Sequence, residues 1–266
     1  MSALREILGL LRSLLMYYAI PGRFGRLQRF YAEFVRPGDL CFDVGAHVGN
    51  RLQVWHSLGA RCVAFEPQPR LFDYLQRRFG AEASITLLPL AVGAAAGTAT
   101  LHISTRTPTV TSLSTEWIAS VQRDASFRRV AWDKAVEVEL TTLDAIIACH
   151  GVPRFCKIDV EGFELAVLQG LTHPLPVLSF EYIAAALPMA QQCILRLEQL
   201  GRYQYQYSPG ETHRLAAPRW LDAAEMLVLL KTLKGSGDVY ARLVGPLASL
   251  PIPPTVGPRD EDMIER

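Results

Sequence analysis

The chain has 266 residues, 50% of them hydrophobic and 20% charged, and its 27 basic and 26 acidic side chains leave a formal net charge of +1. This is the profile of an ordinary globular α/β chain, with room for one large domain and its decorations rather than two full domains. Because the charges nearly cancel, no global field draws in nucleic acid, and composition argues against a nucleic-acid substrate.

The N-terminal stretch LREILGLLRSLLMYYAI carries Leu4, Ile7, Leu8, Leu11, Leu14, Leu15 and Tyr18 at helical spacing, interrupted by Arg5, Glu6 and Arg12. It predicts an amphipathic helix, too broken by charge to span a bilayer. Its apolar face is expected to pack on the domain or on a second subunit of a homo-oligomer; peripheral contact with a membrane surface is the other use of such a face. Residues 1–35 are therefore set apart as an N-terminal helical extension, and 36–266 as the main domain.

Beyond it, short apolar runs bounded by Gly, Pro or charge occur at DLCFDV, RCVAFEP, ITLLPLAV, FCKIDV and PVLSFEYI. They are too uniformly apolar for strands with one wet face and predict strands covered on both sides. Helical patterns lie between them at about 50–58, 69–79, 163–171 and 189–200. That alternation predicts βαβ units on a mostly parallel sheet. One block departs from the rhythm: GTATLHIS and VEVELTTL alternate apolar with polar residues around a Ser/Thr-rich segment. They predict a small antiparallel β insertion at about 97–142, between the third and fourth sheet strands. Near the end, RYQYQYSPG has the alternation of a strand with one buried face.

The first strand runs into CFDVGAHVGNR. A strand, a Gly-rich turn and a helix place backbone N–H groups at the carboxyl edge of the sheet, where ligands of open α/β sheets bind. Gly45 and Gly49 are expected to let a ligand approach the main chain, and Asp43 suits a ligand with a cationic portion. The second strand ends at Glu66 and Pro67, about twenty residues after the glycine turn, where an acid can accept hydrogen bonds from both hydroxyls of a ribose. The GxGxxG pattern and the Walker lysine motif are both missing, which argues against a nicotinamide-dependent oxidoreductase.

In chain order, FDVGAHVGN, AFEPQP, LAVG followed by GTATL, TSL, TTLD and CKIDVEGFELAVLQG resemble the signature series of FkbM-type methyltransferases, over roughly residues 36–185. His47 departs from the asparagine common in the family. The resemblance implies a Rossmann-like class I methyltransferase fold, with about seven strands and helices on both faces. Its last strand would be antiparallel, and DVYARLV is the candidate for it. It also implies S-adenosylmethionine as cofactor. The loop of Asp43, Gly45, Ala46, His47, Gly49 and Asn50 would hold the methionine portion, Glu66 with Pro67 the ribose, and Ala91 and Val92, ending the third strand, would border the adenine; Asp159 would border the cofactor as well.

The chemistry then reduces largely to aligning a nucleophile with the cofactor methyl. An alcohol acceptor also needs its proton drawn away by a base or a metal ion. The candidates are Asp159 and Glu161, two apart on an extended chain and so on one face, with Glu181 at the end of the next strand. Three carboxylates on one rim could bind Mg²⁺, or could supply one base and partners for acceptor hydroxyls. Lys157 shares their face and could pair with an acid, while helix capping is the alternative role for Asp159. His56 could border the pocket; His102, His150, His173 and His213 stand singly and are expected at the surface or in turns.

Cys41, Cys62, Cys149, Cys156 and Cys193 show neither a CxxC pair nor metal-ligand spacing. With no leader recognisable in the sequence, they point to a reducing cytoplasm. The expected activity is O-methylation of a hydroxyl on a sugar, a glycan or a secondary metabolite. The competing expectation is a methyltransferase-like chain that binds the cofactor without catalysis, as a sensor or assembly subunit.

Overall fold

Two helices precede the first strand, α1 (Ser2–Tyr18) and α2 (Arg23–Tyr31), and Gly22 at φ 70° turns one into the other. The computed structural model describes residues 2–245. The chain then alternates as βαβ units should: β1 (Leu40–Val44), α3 (Asn50–Ser57), β2 (Arg61–Phe65), α4 (Pro69–Phe79) and β3 (Ile85–Leu88). An excursion follows, made of β4 (Ala91–Val92), β5 (Gly97–Ile103), α5 (Thr115–Val121) and β6 (Lys134–Thr141). The main sheet resumes with α6 (Leu143–His150), β7 (Phe155–Ile158), α7 (Glu164–Gln169), β8 (Val177–Ile183), α8 (Leu187–Leu200), β9 (Tyr203–Pro209), α9 (Ala223–Leu230) and β10 (Ser236–Leu243).

The seven-stranded sheet has the order β3-β2-β1-β7-β8-β10-β9. The pairs β2/β3, β1/β2, β1/β7 and β7/β8 are parallel, and β10 runs antiparallel to both β8 and β9. DVYARLV thus supplies the antiparallel last strand, and RYQYQYSPG supplies the edge strand beside it. All five residues of β1 are buried, which is why LCFDV shows no alternation. On one face Phe42, Val44 and Phe65 pack with Ile146, Val167, Ile194 and Met226 from α6 to α9. On the other, Cys41, Cys62 and Phe155 pack with Tyr31, Trp55 and Phe79 from α2, α3 and α4. The α2 part of the extension is therefore built into a core, and Tyr31 and Trp55 are both fully buried there.

Three expectations change. The run ITLLPLAV is not one strand: Pro89 cannot donate to a ladder, so β3 stops at Leu88. Ala91 and Val92 leave the main sheet to pair in parallel with β6, inside a three-stranded sheet of order β4-β6-β5 whose β5/β6 pair is antiparallel. Second, the apolar face of α1 does not pack on the domain. Leu4, Leu8, Leu11 and Leu15 are exposed, while Gly9 and Ser13 face inward. At Gly9 a Cβ would lie 2.3 Å from the Thr105 carbonyl oxygen, so this side of the helix must be small to let the insertion approach. Polar bonds hold it there: Arg12 donates to Thr107 Oγ1 at 2.8 Å, and Lys134 Nζ donates to Glu6 at 2.9 Å. Third, α2, α5, α6 and α9 have no counterpart among the expected helices.

No helix among the described residues is long and apolar enough to cross a membrane. All five cysteines are free, and only Cys149 is exposed.

Candidate active site

Asp43 lies one residue before the end of β1, with Ala64 of β2 and Lys157 of β7 as its register partners. Its carboxylate is buried and Oδ2 has no hydrogen-bond partner. Burial pushes the Asp43 carboxyl up to about 6, against the pull of Lys157 and Arg51. The turn that follows folds back on β2: Gly45 and Ala46 donate their N–H groups to the Phe65 carbonyl at 3.0 and 2.9 Å.

Glu66 follows β2. Its carboxylate accepts the His47 N–H at 2.7 Å and the Gln68 N–H at 2.9 Å, one on each oxygen. Burial nonetheless raises the Glu66 carboxyl to about 8, because the two N–H bonds do not offset the loss of water. His47, at φ 52°, sits under α1, with Nε2 3.2 Å from Ser13 Oγ and its ring edge-on to Tyr17. Burial lowers it to about 4, so it is neutral at pH 7.

These strand ends border a cleft with about 690 Å³ of free space, partly open to solvent. Gly45, His47, Glu66, Pro67, Ala91, Val92, Asp159 and Glu161 line it. Ala91 and Val92 thus reach the cleft from the smaller sheet. Gln68, Leu90 and Tyr17 also line it, as do Leu101, Thr109 and Thr111 of the insertion. None of these is assigned from the sequence: Tyr17, Leu101, Thr109 and Thr111 are brought there by the packing of α1 and of the insertion, whereas Gln68 and Leu90 stand beside the assigned Pro67 and Ala91.

Asp43, Ala46, Gly49 and Asn50 do not line this cleft, whereas Gly45 does, and both glycines are also closely packed. At Gly45 (φ 86°) a Cβ would lie 1.9 Å from the Asp159 carbonyl oxygen; at Gly49 (φ 73°) it would meet Phe79 at 2.5 Å. The β1 turn is thereby pressed against the end of β7 and against α4, in a left-handed conformation that glycine adopts freely. His56 also stays away from the cleft, with Nδ1 3.0 Å from Ser84 Oγ and Nε2 3.5 Å from Glu82.

At the end of β7, Lys157 Nζ donates to Asp159 Oδ2 at 2.7 Å and lies 3.6 Å from Asp238 of β10. Burial penalises the ammonium, but these acids outweigh it and hold Lys157 above its ordinary range. Burial likewise opposes the Asp159 charge, and Lys157 and Arg51 hold it below the usual carboxylate range. Asp159 is therefore an ionised partner of a buried cation and not the cap of α7. The turn into α7 is held instead by Glu164, which accepts the N–H groups of Val160 and Gly162.

Glu161 sits at φ 52°, beside Gly162 at φ 89°, where a Cβ would strike Trp117 of α5. Ser112 Oγ donates to the Glu161 carbonyl at 2.6 Å, so the TSL segment of the insertion fixes the backbone of this acid. Asp159, Glu161 and Glu181 each bring a carboxylate oxygen within 4.8 Å of the others. Burial and the negative neighbours raise both Glu161 and Glu181 well above the usual range. One acid held below the usual carboxylate range beside two held above it is an arrangement that can take up and pass on a proton.

Behind the cleft, Arg51 is buried, 3.4 Å from Glu211. Arg23 donates to the same carboxylate at 2.6 Å. His213, expected to stand singly at the surface, is buried with Nε2 3.2 Å from Glu211. Likewise His173 has Asp144 at 3.6 Å.

A mostly parallel sheet of this order, with helices on both faces and a cleft at its strand ends, is a Rossmann-like fold. Residues 43–204 match the Methyltransferase FkbM domain, and the chain belongs to that family. It is similar to the hexuronic acid methyltransferase AglP of Haloferax volcanii, with 27% identity over 152 residues, 57% of this chain and 58% of that protein. Among solved structures it resembles a TehB-like SAM-dependent methyltransferase from Corynebacterium glutamicum, at 9% identity and TM-score 0.44, covering 82% of this chain and 88% of that one. It also resembles Aeropyrum pernix fibrillarin in complex with S-adenosyl-L-methionine, at 10% identity and TM-score 0.42, covering 78% and 68%.

Proposed function

We propose that the protein transfers a methyl group from S-adenosylmethionine to a hydroxyl of a sugar, a glycan or a secondary metabolite. The observation that carries the reading is that Glu66, Asp159 and Glu161 line one cleft, with Glu181 of the adjoining cavity completing a cluster with Asp159 and Glu161 within 4.8 Å. The 27% identity to a hexuronic acid methyltransferase supports a sugar acceptor.

The residues fit the cofactor. Its ribose offers two hydroxyl donors to Glu66, whose oxygens each keep a free lone pair after accepting one N–H. Asp43 Oδ2, buried and without a partner, supplies negative potential behind the turn that would face the sulfonium. Ala91, Val92, Leu90 and Leu101 offer an apolar slot for a purine. When bound, S-adenosylmethionine supplies a methyl on a positively charged sulfur. That chemistry would form the acceptor's C–O bond as the C–S bond breaks, leaving a neutral thioether.

The chain's own residues align the acceptor and remove its proton. Glu161 borders both this cleft and a second cavity that also contains Glu181. In our reading the acceptor hydroxyl hydrogen-bonds within this cluster and its proton passes to an ionised carboxylate there. The same three oxygens form a hard donor set of the kind Mg²⁺ accepts. Methyl transfer assayed with Mg²⁺ and with EDTA separates a cation-holding cluster from a proton-sharing one. The intact cluster favours catalysis over a cofactor-binding sensor.

Calorimetric titration with S-adenosylhomocysteine tests the reading first, beside Asp43→Ala and Glu66→Ala. Saturable binding in the wild type, lost in Glu66→Ala, supports it. A wild-type protein with neither binding heat nor a thermal shift refutes it.

A further inference from the structure

The second cavity has about 1790 Å³ of free space, partly open to solvent, and meets the cofactor cleft at Glu161. Three arginines converge on it from three separate segments: Arg12 from α1, Arg106 from the loop after β5, and Arg129 from the loop before β6. Arg12 is committed through one nitrogen to Thr107 and the Arg106 carbonyl. Among the described residues the guanidiniums of Arg106 and Arg129 meet no hydrogen-bond or ion-pair partner, and Arg106 and Arg129 are exposed.

Of the acids that line the same cavity, Asp124 is exposed and accepts the N–H and hydroxyl of Ser126 within its own turn, and Glu161 and Glu181 stand clustered with Asp159, the partner of Lys157. The cavity therefore has a cationic mouth and a floor of carboxyl groups suited to hydroxyls.

We infer that the methyl acceptor is an anion: a molecule whose carboxylate or phosphate is gripped by Arg106 and Arg129, with Arg12 beside them, while its hydroxyl reaches Glu161 and Glu181. The planar guanidinium fork matches both anions in two-point contact, which orients as well as binds. Gripping the charged end also fixes which hydroxyl reaches the floor. The inference rests on the proposed methyl transfer and deepens it.

The test uses the full chain saturated with S-adenosylhomocysteine and follows three probes by ligand-observed NMR at fixed ionic strength: methyl β-D-glucuronide, D-glucose 1-phosphate and methyl β-D-glucoside. At least one anionic probe should bind roughly tenfold tighter than the neutral glucoside, as expected for hydrogen bonds to a charged group at a partly open site. Whichever anion leads identifies the carboxylate or the phosphate class. Arg106→Ala combined with Arg129→Ala should erase the preference with S-adenosylhomocysteine affinity unchanged, and the double lysine replacement should restore part of it. Equal binding of all three probes, no binding of either anion, or an anion preference that survives the double alanine variant overturns the inference. Loss of S-adenosylhomocysteine binding by the wild type would instead refute the methyltransferase reading, so the two failures are separate.

Discussion

The wall of the cleft built by β1, β2 and β7 and the wall built by α1 and the β5–β6 insertion are held by different forces. The first is a set of strand ends locked by ladders and by buried charge: Asp43 and Lys157 are almost fully buried, and the turn glycines leave no room for a Cβ. The second is held mainly by side-chain bonds at or near the surface, such as Arg12 to Thr107 and Lys134 to Glu6, with the contact of the buried Ser13 to His47 beneath α1. Buried charge is costly to disturb, whereas exposed pairs contribute little each. The first wall is thus suited to a ligand that needs a fixed frame, and the second to one that the wall adjusts to.

The largest effect should come from Lys157→Met, which removes the cation shared by Asp159 and Asp238 and nearest Asp43. A loss of about 3–5 kcal/mol in urea denaturation at pH 8 is expected for a buried pair broken on one side. The loss should shrink at pH 5, where the stranded carboxyls can protonate. A loss below about 1 kcal/mol would mean that this wall is no firmer than the other.

Next comes Glu66→Ala, expected to weaken S-adenosylhomocysteine roughly a hundredfold in calorimetry through two lost charged hydrogen bonds. The same carboxyl sets a pH dependence. It titrates near 8 in the folded, ligand-free protein, above its ordinary 4.5. If the ionised form accepts the ribose hydroxyls, affinity should rise with pH from 6 to 8, by at most tenfold per unit, and Glu66→Gln should flatten the rise. Stability should move the other way. In that window the folded state holds a proton that the unfolded chain has released, so this group's contribution falls as pH rises through 8. The stability of Glu66→Gln relative to wild type should therefore grow with pH.

The same contrast governs what could be read from the sequence. The first wall was legible because its residues are contiguous in strand-turn-helix motifs: Glu66 and Asp159 stand where FEP and KIDVEG place them, and β1, β2, β7 and β8 announce themselves as unbroken apolar runs. Even there spacing left one contact unread, the close approach of Gly49 to Phe79. The second wall was legible as an insertion but not as a wall. Tyr17, Thr109 and Thr111 reach the cleft only through tertiary packing, which leaves no period in the chain. Of the helices without a predicted counterpart, α6 and α9 are apolar on most sides, so no amphipathic stripe marks them.

A smaller effect is expected from Gly9→Val, which places a side chain against the Thr105 carbonyl and Pro108. It should lift α1 from the insertion. Denaturation should shift by only about 1–3 kcal/mol, as for other overpacked contacts, and S-adenosylhomocysteine affinity should change less than in Glu66→Ala. An equal loss of cofactor affinity in the two variants would show that α1 closes the cofactor side as well.

The smallest effect should come from Leu8→Gln combined with Leu11→Gln, on the face of α1 turned away from the domain. Exposed positions that touch nothing change stability by less than about 0.5 kcal/mol each. The melting curve at low protein concentration and the cofactor isotherm should therefore overlay those of the wild type. The informative arm is assembly, because an exposed leucine stripe is what a subunit or membrane contact would use. Sedimentation across a range of concentrations compares the chain with itself, and flotation with anionic vesicles compares it with a bilayer. Loss of a dimer in the variant would assign the stripe to a second copy. Loss of flotation would assign it to a lipid surface. In either case the helix that closes the cleft with its small, polar side would carry its binding partner on the opposite one.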